Sequence, residues 1–168
     1  MIREYSAREL QRNDGPIERG RFAARDHSIR MREPLKNHEF ESVFLHEVAH
    51  ALIHNKKKRL RPADRSRIFG SDLAPFLSGY VLPSLTGLKD QAVSHLGTTY
   101  IDELFNKRRS MKMSNAFLKF LAGISEELLC DLFALYALTG MKGLGSEFRD
   151  EFERQLARMG LPLPWRPN

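Results

Sequence analysis

The stretch Phe44-Leu45-His46-Glu47-Val48-Ala49-His50-Ala51-Leu52-Ile53-His54 constrains this chain more than any other. Its apolar residues recur at helical spacing, and His46 and His50 stand four residues apart. On a helix, residues i and i+4 lie one above the other on the same face. Both imidazoles can then reach one metal ion, and Glu47, beside the first, can reach a water held there. The helix is predicted over about Glu39 to Asn55. Glu39 and Glu41 sit near its positive end, and Asn55 and the following lysines sit at its negative end. His54 falls one further turn along the same face, as a helix-end group beside the site rather than a ligand. His27 and His38 read as surface residues.

A second stretch poses a physical problem that the first can resolve. Ser114 is a candidate N-cap and Gly140 a candidate C-terminal stop for one long helix, Asn115 to Thr139, apolar on most sides. It nevertheless carries Glu126, Glu127 and Asp131. Glu127 and Asp131 share a face, where like charges repel. A buried ionised carboxylate is costly unless it is paired or binds a metal. A zinc site removes the conflict, with Glu127 as a ligand and Asp131 accepting a hydrogen bond from a ligating imidazole. Glu126 points about 100° away, toward solvent or a basic residue.

Taken together, His46-Glu47-Val48-Ala49-His50 and Glu127-Leu128-Leu129-Cys130-Asp131 resemble the gluzincin arrangement, HExxH on one helix and ExxxD on a later one. The local likeness is to the ImmA/IrrE-type metallopeptidases, whose later motif is similar to Glu127-Leu128-Leu129-Cys130-Asp131-Leu132-Phe133-Ala134. The resemblance implies a zincin-like fold and a zinc metalloendopeptidase: His46, His50 and Glu127 as ligands of Zn2+, Glu47 as general base, and Asp131 as support. His95 and Tyr100 are candidates for stabilising the transition state, with Tyr80 as a further accessory candidate. It also implies that an extended substrate pairs with an edge strand before the motif helix, a part assigned to Ser28 to Glu33. Two rivals for the third ligand stay open. His95 is spaced as in SprT-like proteins, and Asp102 follows a stretch similar to the aspzincin pattern but one residue late. The metzincin continuation fails, because Ile53 and Lys56 stand where its glycine and third histidine belong.

Around these two helices the expected fold is α+β, a small N-terminal sheet followed by a mostly helical body. At 168 residues the chain is long enough for one domain with a core, 1–168, ending in an extended Pro-rich tail, 160–168. Arg3 to Arg12 is predicted as a short helix, and Gly20 to Arg25 and Ser28 to Glu33 as strands. Residues 63 to 113 read as short helices and loops, with a helical part from Asp90 to Leu104 broken near Gly97. Ser146 to Met159 reads as an amphipathic helix whose stripe is Phe148, Phe152, Leu156 and Met159, and Trp165 is expected to pack back from the tail.

Composition bounds the partners. Lys56 to Arg67 holds seven cations against Asp64, an excess equal to the net charge of +6, and Lys107, Arg108, Arg109 and Lys112 form a second cluster. Either a solvated face or contact with an acidic or nucleic-acid partner accounts for such runs. No aromatic interleaves the first run, so a stacking platform for single strands is not expected. Cys130 is the sole cysteine, which excludes an internal disulfide and a thiol-rich metal site. Without an apolar leader or an uninterrupted apolar span, no membrane partner is expected, and the cytoplasm is the expected compartment. Two readings compete with a peptidase acting on a protein or peptide. One is a non-catalytic, zinc-stabilised zincin-fold binding module. The other is a nucleic-acid-associated protein using Lys56 to Arg67.

Overall fold

The computed structural model describes residues 2–5, 20–32, 37–95 and 100–164, with side chains described for 20–31, 38–92 and 100–164. It is α+β. Three strands, β1 (Ile2–Tyr5), β2 (Gly20–Ala23) and β3 (Ser28–Arg32), form a sheet in the order β1-β3-β2. β1 runs parallel to β3, with Ile2 opposite Ile29 and Tyr5 opposite Arg32, and β2 runs antiparallel, with Gly20 opposite Met31 and Ala23 opposite Ser28. The short helix predicted from Arg3 is therefore corrected: Arg3 to Tyr5 pair as a strand, and residues 6–19 lie outside the described residues. A weak local helix preference yields where β3 offers an unpaired edge.

α1 spans Asn37–Lys58, two to three residues beyond the predicted helix at each end, and its final turn holds Lys56, Lys57 and Lys58. Two short helices follow, α2 (Pro62–Ser66) and α3 (Ala74–Phe76), each running into a π-type turn, Arg67–Ser71 and Leu77–Val81. α4 (Leu85–His95) and α5 (Tyr100–Ser110) come next, and the break expected near Gly97 lies outside the described residues.

The long helix predicted from Asn115 to Thr139 is two helices, α6 (Asn115–Gly123) and α7 (Ser125–Thr139). Ser114 caps the first, its Oγ accepting from Phe117 N at 3.2 Å, and Gly140 closes the second at φ 63°. The interruption is Ile124, at φ −107° and ψ 9°, after a glycine of low helix propensity. It starts a new helix one residue before Glu126 and Glu127, which puts both carboxylates in a first turn, where the helix dipole favours negative charge.

Leu128 to Ala137 are all buried, so α7 is the centre of the core, with α1 packed along one side and the N-terminal end of α5 along another. α8 (Ser146–Met159) has the predicted bounds and buries Phe148, Phe152, Leu156 and Met159 against the same core. The tail beyond 164, with Trp165, lies outside the described residues. Among the described residues no helix is long and apolar enough to cross a membrane.

Candidate metal centre

α1 and α7 face each other so that three atoms converge. His46 Nε2 lies 3.1 Å from His50 Nε2, and each lies 3.1 Å from Glu127 Oε2. Every side of the triangle is the same length, although its corners come from residues up to 81 positions apart in sequence.

The far nitrogens decide what this triangle is. His46 Nδ1 is 2.8 Å from Asp131 Oδ1, and His50 Nδ1 is 3.2 Å from Glu126 Oε1. A carboxylate can only accept, so each Nδ1 carries a proton and donates it. In a neutral imidazole the Nε2 atom is then a lone pair. Two lone pairs and a carboxylate oxygen meet with no donor among them, so the site calls for positive charge. Either protons supply it, making imidazolium ions, or a cation does. A zinc ion fits the donor set. Nitrogen and oxygen ligands held at about 2.0–2.1 Å in a tetrahedron stand roughly 3.3 Å apart, close to the observed triangle.

The proton-filled state shows in the pKa values. Burial pulls His46 down, but its hydrogen bonds to Asp131 and Glu127 and the charges of Asp131 and Glu47 outweigh that and raise it from 6.5 to about 10. His50 is likewise pulled down by burial and raised, net, to about 9 by Glu126 and Glu127. Burial would raise Glu127, yet the two imidazoles hold it at about 2. His50 first and then Lys57 hold Glu126 below the usual carboxylate value against the effect of burial.

Supports surround the triangle. Asp131 is 2% exposed, and its second oxygen accepts from Ile101 N, at the start of α5, at 3.2 Å. Glu126 Oε2 pairs with Lys57 Nζ, whose ammonium lies 5.0 Å from the Phe69 ring centroid. Glu47 is buried and its Oε2 accepts from Phe22 N of β2 at 2.5 Å. Burial raises the Glu47 pKa, against the charges of His46 and His50 and the Phe22 hydrogen bond. β2 comes this close because Gly20 lacks a side chain: a Cβ there would stand 2.4 Å from Val43 Cγ1 and 3.3 Å from Glu47 Cγ.

Of the residues singled out from the sequence, His46, Glu47, His50, Glu127 and Asp131 are brought together. Asp102 is not at the triangle, since it pairs with Lys89. The His95 side chain lies outside the described residues. Tyr100 is 36% exposed and precedes the residue that donates to Asp131. Tyr80 stacks on Phe76 at 6.0 Å. His54 packs edge-on against Phe22 at 5.6 Å with its Nε2 buried and, among the described residues, without a hydrogen bond. His27 and His38 are exposed, as expected.

The edge-strand role assigned to Ser28 to Glu33 is overturned. β3 is the middle strand, so its backbone groups already serve β1 and β2, and Glu33 lies outside the described residues. Among the described residues the edge beside the triangle is β2.

Sequence reasoning also missed Cys130. Its fully buried Sγ and one ring nitrogen from each of His46 and His50 all lie within 4.8 Å of one another. Burial, and then the charges of Glu126, Glu127 and Asp131, push this thiol well above its ordinary value, so it holds its proton in the metal-free chain. Its position one turn after Glu127 was the available signal.

The basic runs are partly engaged. Arg61 and Arg67 share Asp64 at 2.9 and 3.8 Å, and Arg65 Nε donates to Leu60 O. Lys107, Arg108 and Arg109 lie over the rings of Phe120, Phe117 and Phe105. Packing on aromatic faces accounts for these three cations of the second cluster without a partner.

No family model matches the chain, and neither a curated protein nor a solved structure matches it.

Proposed function

We propose that the chain is a zincin-like, gluzincin-type zinc metallopeptidase that hydrolyses peptide bonds, with His46, His50 and Glu127 holding the ion. The observation that carries this reading is the triangle of 3.1 Å sides formed by two imidazole Nε2 atoms and a carboxylate oxygen, with Glu47 next to it in sequence and buried beside it. When bound, zinc supplies Lewis acidity toward a water and a peptide carbonyl. Glu47 takes the water's proton and returns it to the departing amine. Asp131 keeps the His46 proton on Nδ1, which leaves its Nε2 lone pair for the ion. Tyr100 and His95 are the candidates to donate to the carbonyl oxygen. An extended peptide would pair with β2, and to do so its carbonyl would replace Glu47 as acceptor for Phe22 N. That exchange frees Glu47 for its catalytic part. The cytoplasm is the proposed compartment.

The test is elemental analysis joined to cleavage of unfolded protein substrates. Glu47→Gln is expected to keep one zinc per chain and lose cleavage, whereas Glu127→Ala loses the zinc. Stoichiometric zinc retained in Glu127→Ala sinks the assignment.

One observation favours a second reading. With Cys130 as a further protein donor the site would be closed, as structural zinc sites are, and the chain would be a zinc-stabilised binding module. Zinc retention without any cleavage, combined with zinc loss in Cys130→Ala, would decide for it. Contact with nucleic acid would fall to the exposed Lys58, Arg59, Arg61, Arg65 and Arg67, and would show as steep salt dependence.

A further inference from the structure

We propose that Glu126 is a positioning residue that sets the proton of His50, and that Lys57 and Phe69 hold it in place. The proposal rests on the reading of the triangle as a metal centre. For His50 to offer Nε2 to a cation, its proton must stay on Nδ1, and a neutral imidazole left alone can hold it on either nitrogen. The group that faces His50 Nδ1 is Glu126 Oε1, at 3.2 Å. Glu126 therefore does for His50 what Asp131 does for His46, and the two supports bracket Glu127 on one short stretch of α7.

The supports differ in how they are anchored. Asp131 is almost fully buried and its other oxygen is tied to a backbone N–H, which cannot move away. The Glu126 side chain is 35% exposed, and water would draw a lone carboxylate there away from His50. Its other oxygen is instead held by Lys57. Lys57 is seven residues after His50, two turns along α1, so both stand on the face turned to α7. The ammonium in turn sits over the Phe69 ring at 5.0 Å, which leaves a long flexible side chain with one favoured direction. The chain Phe69–Lys57–Glu126–His50 thus reaches the triangle from the outside, and it removes Lys57 from the cations open to a partner.

The experiment measures zinc affinity of the full chain by competition with a chromogenic chelator, with helicity and melting temperature followed to confirm folding. Glu126→Ala is expected to weaken zinc binding by about 10–100-fold. Glu126→Gln, which keeps an acceptor oxygen, recovers most of that loss. Lys57→Ala weakens binding in the wild-type background but adds nothing in the Glu126→Ala background, the signature of two groups acting through one contact. In 15N-labelled, zinc-loaded protein the His50 Nδ1–H signal is expected in wild type and lost in Glu126→Ala, while that of His46 remains. A folded Glu126→Ala variant with wild-type zinc affinity, or a glutamine no better than alanine, overturns the proposal. A wild-type chain that takes up no zinc removes the metal-centre reading itself, a result distinguishable from either.

Discussion

Substituting Asp131 by asparagine tests the centre with almost no change of shape. In the native chain two donors, His46 Nδ1–H at 2.8 Å and Ile101 N–H at 3.2 Å, face the two carboxylate oxygens of a residue that is 2% exposed. An amide has one acceptor oxygen and a donor group, so it can satisfy only one of them. If its oxygen turns to Ile101, its NH2 faces His46 Nδ1, and the imidazole must move its proton to Nε2. That proton then occupies the corner of the triangle a cation needs. If its oxygen turns to His46, a buried backbone N–H loses its partner, at a cost of about 1–3 kcal/mol, and the first turn of α5 loosens. The first arrangement predicts a loss of zinc affinity of about 10–100-fold, equivalent to about 1.4–2.8 kcal/mol. Losing a charge-assisted bond destabilises the metal-free chain by roughly 1.5–3 kcal/mol. Chelator competition measures the first quantity, and denaturant unfolding with and without zinc measures the second. An asparagine variant that both binds zinc as tightly as wild type and is as stable as wild type would refute the tautomer argument, because each orientation of the amide forfeits one or the other.

Two further outcomes follow from the same geometry. Gly20→Ala sets a Cβ against Val43 Cγ1, a methyl on a stiff β-branched side chain, so β2 must move off α1 at a cost of about 1–3 kcal/mol. Val43→Ala in the same chain should recover part of this in urea unfolding, and an unaltered Gly20→Ala midpoint would sink the close-approach argument. The metal-free chain should lose stability as pH rises. His46 and His50 have pKa values raised from 6.5 to about 10 and about 9, so their contribution is complete below about 6.5 and fades as pH passes through 9 to 10. At the other end, Glu127, lowered from 4.5 to about 2, loses its contribution as pH falls through that range. Thermal melts of chelator-treated protein check both limbs, and a melting temperature that stays flat or climbs between pH 6.5 and 10 would contradict the proton-filled triangle.

Local signals made α1, α8 and the caps at Ser114 and Gly140 legible, because helical period and capping chemistry act within a few residues. His46, Glu47 and His50 could be read for the same reason. Glu127 and Asp131 could be read because charge in an apolar helix is an anomaly that needs a partner. Pairings between distant segments were decided only by the tertiary structure. β3 is a middle strand because β1 returns to its far side, which no alternation within Ser28 to Glu33 reveals. Lys57 looked like one cation in a solvated run until α7 brought Glu126 beside it, and Cys130 spoke only against a disulfide and a thiol-rich metal site until two histidines came within reach. The break at Ile124 lies between these cases, since Gly123 marks a weak point but only packing determines whether the helix yields there. The sequence alone determined which side chains needed partners, since burial and charge belong to the residue and its near neighbours. The tertiary structure decided which partners they received, because those groups meet only when α1, α5, α7 and β2 are folded together.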